Sequence, residues 1–370
     1  MENIKYDIVG SFLRTTPIKT ARASYADKKI SYDELRNIED EEIRKLVSKE
    51  VEHGLKYVTD GEFRRKWWHL DWLKEFNGFT TNADSFLECK LNGKVNQIER
   101  GHISGKIFYD SSKKHREVEA FDFLLDEAKK YDGITAKKCI SGPNMILIEN
   151  YIGSGILDVP YYGTDIDAVI NDIGIAYQEA IKDFYNHGCR YLQIDDVSWM
   201  CLVDDNYIKK INDLGLTKEQ VLGWFIKVST KALENRPEDM TIATHFCKGN
   251  FKGHALLSGF YDSVAESICK VPYDIYFVEY DDERSGSFTP WSIIKNTNAI
   301  FVAGLISTKN STLEDPIDLK NRYLEAKKIV GDRIAISPQC GFASVEEGNC
   351  MSEKTQWDKI DLIVSCKDFL

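Results

Sequence analysis

Eight short apolar runs, each leading into a stretch with helical patterning, constrain this chain's fold more than any other feature. They are YDIVGS (6–11), KYVTDGE (56–62), KKCISGP (137–143), RYLQIDD (190–196), TIATHFC (241–247), IYFVEY (275–280), AIFVAGLI (299–306) and RIAISPQC (333–340). Nearly continuous apolar character predicts strands covered on both faces, as in a parallel sheet. Residues 31–54 form a helical stretch with Ser31 as N-cap, Glu34 three residues on and Gly54 as the stop. Residues 165–188 repeat the pattern and also end in Gly. Eight strand–helix alternations predict an α/β fold of the (β/α)8 TIM-barrel type, not a doubly wound sheet. The 370 residues suit one such domain with insertions. From about residue 76 to residue 118 the rhythm breaks into short alternating segments with Asn-Gly and Gly-Lys turns. This predicts a β-hairpin insertion after the second strand, with residues 1–370 as a single barrel domain.

A formal net charge of −11 opposes binding to nucleic acid or to anionic membranes. The N-terminal stretch lacks a signal-peptide pattern, and no run approaches the length of a membrane span. Nine cysteines without regular spacing predict reduced thiols and a cytoplasmic location. No G-x-G-x-x-G or Walker motif is present.

Chemistry concentrates where the predicted strands end. His245 and Cys247, two residues apart on one strand, point to the same face. Cys340 ends another strand, and Glu279 ends a third, with Asp281, Asp282 and Glu283 as close alternatives. One imidazole, two thiolates and one carboxylate make a tetrahedral zinc set. Cys139, Cys189 and Cys269 read instead as core fillers. The same rim of a barrel would carry Gly10-Ser11, Asp60-Gly61-Glu62, Gly142-Pro143 and Asp195-Asp196. Such carboxylates bind an ammonium group, move protons, or cap the next helix.

These motifs, in this order, resemble the catalytic barrel of the cobalamin-independent methionine synthases, over most of the chain. Val9-Gly10-Ser11 matches the family's I-G-S, and Asp60-Gly61-Glu62 the segment with its amino-acid-binding Glu. SGPNMIL (141–147) is similar to T-G-P-x-x-I-L, and QIDD (193–196) to Q-I-D-E, which places Asp195. THFCKGNF (244–251) resembles H-x-C-x-x-N-F, and PQCGF resembles P-D-C-G. The resemblance implies zinc held by His245, Cys247, Glu279 and Cys340. It implies methyl transfer to the thiol of homocysteine, whose ammonium meets Glu62 and Asp195 and whose carboxylate meets Val9-Gly10-Ser11. The partners it implies are homocysteine and a methyl donor. A thiol–epoxide transferase of the same fold and a non-catalytic zinc-binding barrel are the alternatives.

The chain departs from the family on the donor side. The segment that carries the family's catalytic His reads AGLISTKN (303–310), with Ser307 and Thr308 but no His. The folate-stacking Trp after T-G-P-x-x-I-L is replaced within Ile148-Glu149-Asn150-Tyr151, and the N-terminal barrel of the longer enzymes has no counterpart. Poor use of methyl-folate polyglutamates, and better use of a methyl-corrinoid, is the expectation. His254 is a candidate replacement acid, with a helix-surface role as the alternative. Arg64, Arg65, Trp67 and Trp68, just after Glu62, are candidates to line a cleft for a flat or anionic donor, or else to pack the loop after strand two.

Overall fold

The computed structural model describes residues 4–91 and 94–370, with side chains described except at 82–98 and 368. Its strands are β1 (Tyr57–Val58), β2 (Asn77–Leu91), β3 (Lys94–Phe108), β4 (Thr135–Ala136), β5 (Lys138–Ser141), β6 (Tyr191–Asp195), β7 (Thr241–Phe246), β8 (Asn250–Phe251), β9 (His254–Ala255), β10 (Ile275–Glu279), β11 (Ile300–Ile306) and β12 (Ile334–Pro338). Six of them form a parallel sheet in the order β12-β11-β10-β7-β6-β5. Helices such as Tyr32–Glu52 and Ile166–Asn186 alternate with the strands. Ser31 and Glu34 make the reciprocal capping box that the sequence predicts.

The arc extends at both edges. Beyond β5, β4 pairs in parallel with β1, and Lys137 N donates to Val58 O at 2.9 Å. Beyond β12, Tyr6 bridges Ile336 in parallel, with Asp7 N donating to Ile336 O at 3.1 Å. The run at 6–11 is therefore a single bridge and not the strand its apolar character predicts. The reason lies in who satisfies its backbone. Lys137 Nζ donates to Ile8 O at 2.6 Å, Gln193 Nε2 to Val9 O at 2.8 Å and Thr59 Oγ1 to Gly10 O at 2.7 Å. Side chains from neighbouring strands do the work of a ladder. The run at 56–62 behaves alike: after β1, Thr59 N donates to Glu50 Oε1 and Glu62 N to Asp60 Oδ1.

Two apolar clusters hold the fold. The larger packs the helices against the strands. The smaller gathers Val9, Tyr191, Ala243, Phe277, Val302 and Ala335, one residue from each of six neighbouring segments. Beside it lies a fully buried ion pair, Lys137 Nζ to Asp7 Oδ2 at 2.9 Å, with Tyr191 donating to the same carboxylate at 2.7 Å. The pair is costly to desolvate, and its hydrogen bonds to Ile8 O and Tyr191 offset that cost.

β2 and β3 pair antiparallel. Near the end of this ribbon, Gly101 N donates to Glu149 Oε2 at 3.1 Å and Ile103 N to Asn150 Oδ1 at 3.0 Å. The ribbon is thereby seated on the π-helical turn Ile148–Gly153. Among the described residues, no helix is long and apolar enough to cross a membrane.

Candidate active site

A pocket of about 370 Å³ opens where β6, β7 and β12 end. His245, Cys247 and Cys340 reach it from β7 and from just beyond β12. They offer donor atoms that all lie within 4.8 Å of one another. The two sulfurs are 3.9 Å apart. Two thiolates on one tetrahedral zinc, at about 2.3 Å each, would sit about 3.8 Å apart, so the pair fits that ion. The ring of His245 is fixed on both sides, Nδ1 3.4 Å from Asp195 Oδ1 and Nε2 3.0 Å from Gln339 O. A ligating imidazole keeps one such outer partner, so Asp195 would orient the ring while Nε2 exchanges Gln339 O for the metal.

The electrostatics of the trio favour a single thiolate, at Cys340. The hydrogen bond with Cys247 brings the Cys340 thiol down to about 6 against the opposing effect of burial, and His245 helps. Cys247 is pushed well up by its hydrogen bond with Cys340 and by burial. Burial lowers His245, but the hydrogen bond with Asp195 and the charge of Cys340 outweigh it and raise the imidazole to about 9.

Glu279 ends β10 beside the thiols, and its charge acts to raise both of them, but its oxygens are engaged by other partners. Its Oε2 accepts from Lys248 N at 2.8 Å, and its Oε1 meets Lys309 Nζ at 2.9 Å. Its carboxylate clusters with those of Asp281 and Asp282. The fourth member of the sequence-derived set is thus engaged by a lysine and does not line the pocket.

The opposite wall comes from the irregular N-terminal segments. Val9, Ser11 and Glu62 line the pocket with Asp195. Gly10 stands behind them, and a Cβ there would fall 2.9 Å from Glu62 Oε1 and 2.7 Å from Cys139 Sγ. Only glycine lets that carboxylate in. Glu62 itself holds a left-handed backbone, φ 55°, with Arg14 donating to its carbonyl at 2.6 Å. Burial raises its carboxyl to about 7, with Arg65 opposing and Asp195 adding to the rise. Asp195 Oδ1 accepts from Gln193 Nε2 at 2.7 Å and also faces His245, so one carboxylate touches both walls. Asp196 also lines the pocket, while its carboxylate accepts from Asn144 Nδ2 and Ser198 N.

The basic-aromatic stretch divides. Arg65, Trp67 and Trp68 line the pocket, and Arg65 pairs with Glu62. Arg64 does not: its guanidinium meets Asp40 at 2.5 Å and Glu39 at 3.5 Å and lies over the ring of Phe123. The left-handed turn at Glu62 sends these adjacent arginines to opposite sides. His254, on β9, is half-buried and does not line the pocket. Nor do Ser307 and Thr308; Thr308 Oγ1 is taken up by Gly341 O and Gln339 Nε2, each at 3.1 Å. Among the pocket residues that sequence reasoning missed are His69 and Glu149, whose Nε2 and Oε1 lie 3.4 Å apart.

A parallel α/β sheet with a thiol-rich donor trio and facing carboxylates at its strand ends defines the class. Residues 6–354 match the family described as cobalamin-independent synthase, catalytic domain, and the chain belongs to that family. It is 39% identical over 362 residues to the uncharacterized protein YxjH of Bacillus subtilis, covering 97% of this chain and 92% of that one. It is 21% identical to the 5-methyltetrahydropteroyltriglutamate–homocysteine methyltransferase of Thermotoga petrophila, across 90% of this chain but only 40% of that enzyme. A candidate vitamin-B12-independent methionine synthase from Listeria monocytogenes superposes with a TM-score of 0.77 at 34% identity, covering 99% of this chain and 97% of that one. A B12-independent methionine synthase from Shewanella sp. W3-18-1, solved with selenomethionine, shares the fold at TM-score 0.71 and 16% identity, covering 98% of this chain and 96% of that one.

Proposed function

We propose that this chain is a zinc-dependent S-methyltransferase that moves a methyl group onto the thiol of homocysteine, giving methionine. One observation carries the reading: a thiol-rich donor trio and a carboxylate pair face each other across a single pocket. His245, Cys247 and Cys340 would hold zinc, which when bound lowers the pKa of an incoming thiol. Glu279 is a fourth ligand only if it exchanges Lys309 for the metal; otherwise that position belongs to the substrate thiol. Glu62 and Asp195 bind the substrate ammonium. Its carboxylate lies against Arg65 and the Val9–Ser11 backbone. This orientation converts a bimolecular substitution into a positioned one. Trp67 and Trp68 face the donor.

The scaffold belongs to the same proposal. The edge contacts of Tyr6 and β1, and the inner cluster drawn from six segments, fit a closed (β/α)8 barrel with β2–β3 as an insertion, the whole forming one catalytic domain. The test measures zinc per chain and methionine formed from homocysteine with methyl-folate, methyl-corrinoid and methylsulfonium donors. Bound zinc without homocysteine-dependent methyl transfer from any of them would defeat the proposal.

A further inference from the structure

The pocket has a second polar centre away from the sulfurs. His69 immediately precedes the short helix Leu70–Leu73, and its ring is 5% exposed. Nε2 lies 3.4 Å from Glu149 Oε1. Glu149 is anchored in turn: its Oε2 accepts from Gly101 N at 3.1 Å and lies 3.5 Å from Arg100 Nε. Burial alone would raise this carboxyl, but the partners His69, Arg100 and Gly101 outweigh it and keep the group ionised. The other ring nitrogen, His69 Nδ1, is buried and has no hydrogen-bond partner among the described residues. A buried imidazole held at one nitrogen by an anchored carboxylate, with the other nitrogen unsatisfied and the residue lining a pocket, is arranged to pass a proton to a bound molecule. Trp67 and Trp68 line the same region, the latter's ring 4.8 Å from that of His69.

We propose that His69 is the general acid of this site, passing its proton to the leaving nitrogen of an N-methyl donor. The inference rests on the methyl-transfer reading above. In the step, the thiolate sulfur forms a bond to the methyl carbon. The carbon–nitrogen bond breaks with its electron pair on nitrogen, and the proton moves from His69 Nδ1 to that nitrogen. The leaving group departs as a neutral secondary amine. The imidazole stays bonded to Glu149 through Nε2–H and regains its proton from solvent. Without the proton the nitrogen would leave as an amide anion, a very poor leaving group. The acid that is missing from residues 303–310 thus enters from the segment after Glu62, which answers one of the sequence's objections to an N-methyl donor.

The test uses the zinc-loaded enzyme, homocysteine and two probes. Monoglutamyl 5-methyltetrahydrofolate needs a proton on its leaving nitrogen, whereas S-methylmethionine releases a neutral thioether and needs none. His69→Gln should lower kcat with the folate by roughly 10²–10⁴-fold, leave tetrahydrofolate binding unchanged, and change sulfonium turnover less than about threefold. The wild-type pH profile of kcat with the folate should carry an alkaline limb that the sulfonium profile lacks. Glu149→Gln should lower kcat with the folate and leave its KM in place. Equal loss with both donors in His69→Gln would overturn the assignment. If that variant does not fold, identical wild-type pH profiles with the two donors would overturn it. Wild-type turnover of the sulfonium but not the folate would sink this inference while the methyl-transfer reading stands. No homocysteine-dependent turnover with either would sink both.

Discussion

The two walls of the pocket are built differently. The wall with His245 and Cys247 hangs from β7, in the middle of a continuous parallel ladder, and Cys340 follows β12 directly. The wall with Val9, Ser11 and Glu62 hangs from segments with almost no ladder, whose carbonyls are taken by the side chains of Lys137, Gln193, Thr59 and Arg14. A ladder survives the loss of any one side chain. A backbone held by side chains does not. The difference predicts that point substitutions remove chemistry from the first wall and structure from the second.

Cys340→Ala tests the first half of that contrast and carries the largest expected effect. Zinc should fall from about one per chain to a small fraction, and methyl transfer to homocysteine should vanish, while the chain stays folded by circular dichroism. Full zinc at unchanged affinity would remove Cys340 from the donor set. Lys137→Met tests the second half. It leaves Asp7 buried and unpaired, and should cost about 3–5 kcal/mol in urea unfolding, with Asp7→Leu in the same chain restoring much of the loss. A cost below about 1 kcal/mol would show that this wall does not depend on its side-chain scaffold.

The carboxylates come next, because they distinguish the walls from each other. Glu62→Gln should keep zinc and lower kcat/KM for homocysteine by roughly one to two decades, as for a lost charge-assisted hydrogen bond. Asp195→Asn should do this and also weaken zinc by about 10–100-fold, since Asp195 orients His245. Equal zinc affinity in the two variants would mean that Asp195 serves the substrate alone. Ser31→Ala, remote from both walls, should cost about 1 kcal/mol of stability and leave zinc and KM untouched.

The same contrast decides what the sequence could reveal. Six of the apolar runs lie within a residue or two of β5, β6, β7, β10, β11 and β12. The runs at 6–11 and 56–62 read as strands by the same pattern, yet they ladder only at Tyr6 and at Tyr57–Val58. Apolar patterning reports burial, and both segments are buried; it does not report which atoms satisfy the backbone. The trio of His245, Cys247 and Cys340 was legible because strand ends and a two-residue spacing fix direction. Arg64 and Arg65 were not separable, since their directions depend on the left-handed turn before them. The His69–Glu149 pair had no signal in spacing at all, because a loop and a π-helical turn bring it together.

The backbone of Glu62 has a consequence for anyone who would improve this protein. A side chain with a left-handed backbone costs of order 1–3 kcal/mol, and glycine escapes most of it. Burying the carboxyl adds a further penalty. Either Glu62→Gly or Glu62→Ala would also leave Arg65 buried without its partner, so the relief of backbone strain shows in their comparison: Glu62→Gly should melt above Glu62→Ala. Whatever backbone strain glycine relieves there, it also removes the carboxylate that we propose meets the substrate ammonium, so at this one position conformational ease and recognition ask for different residues.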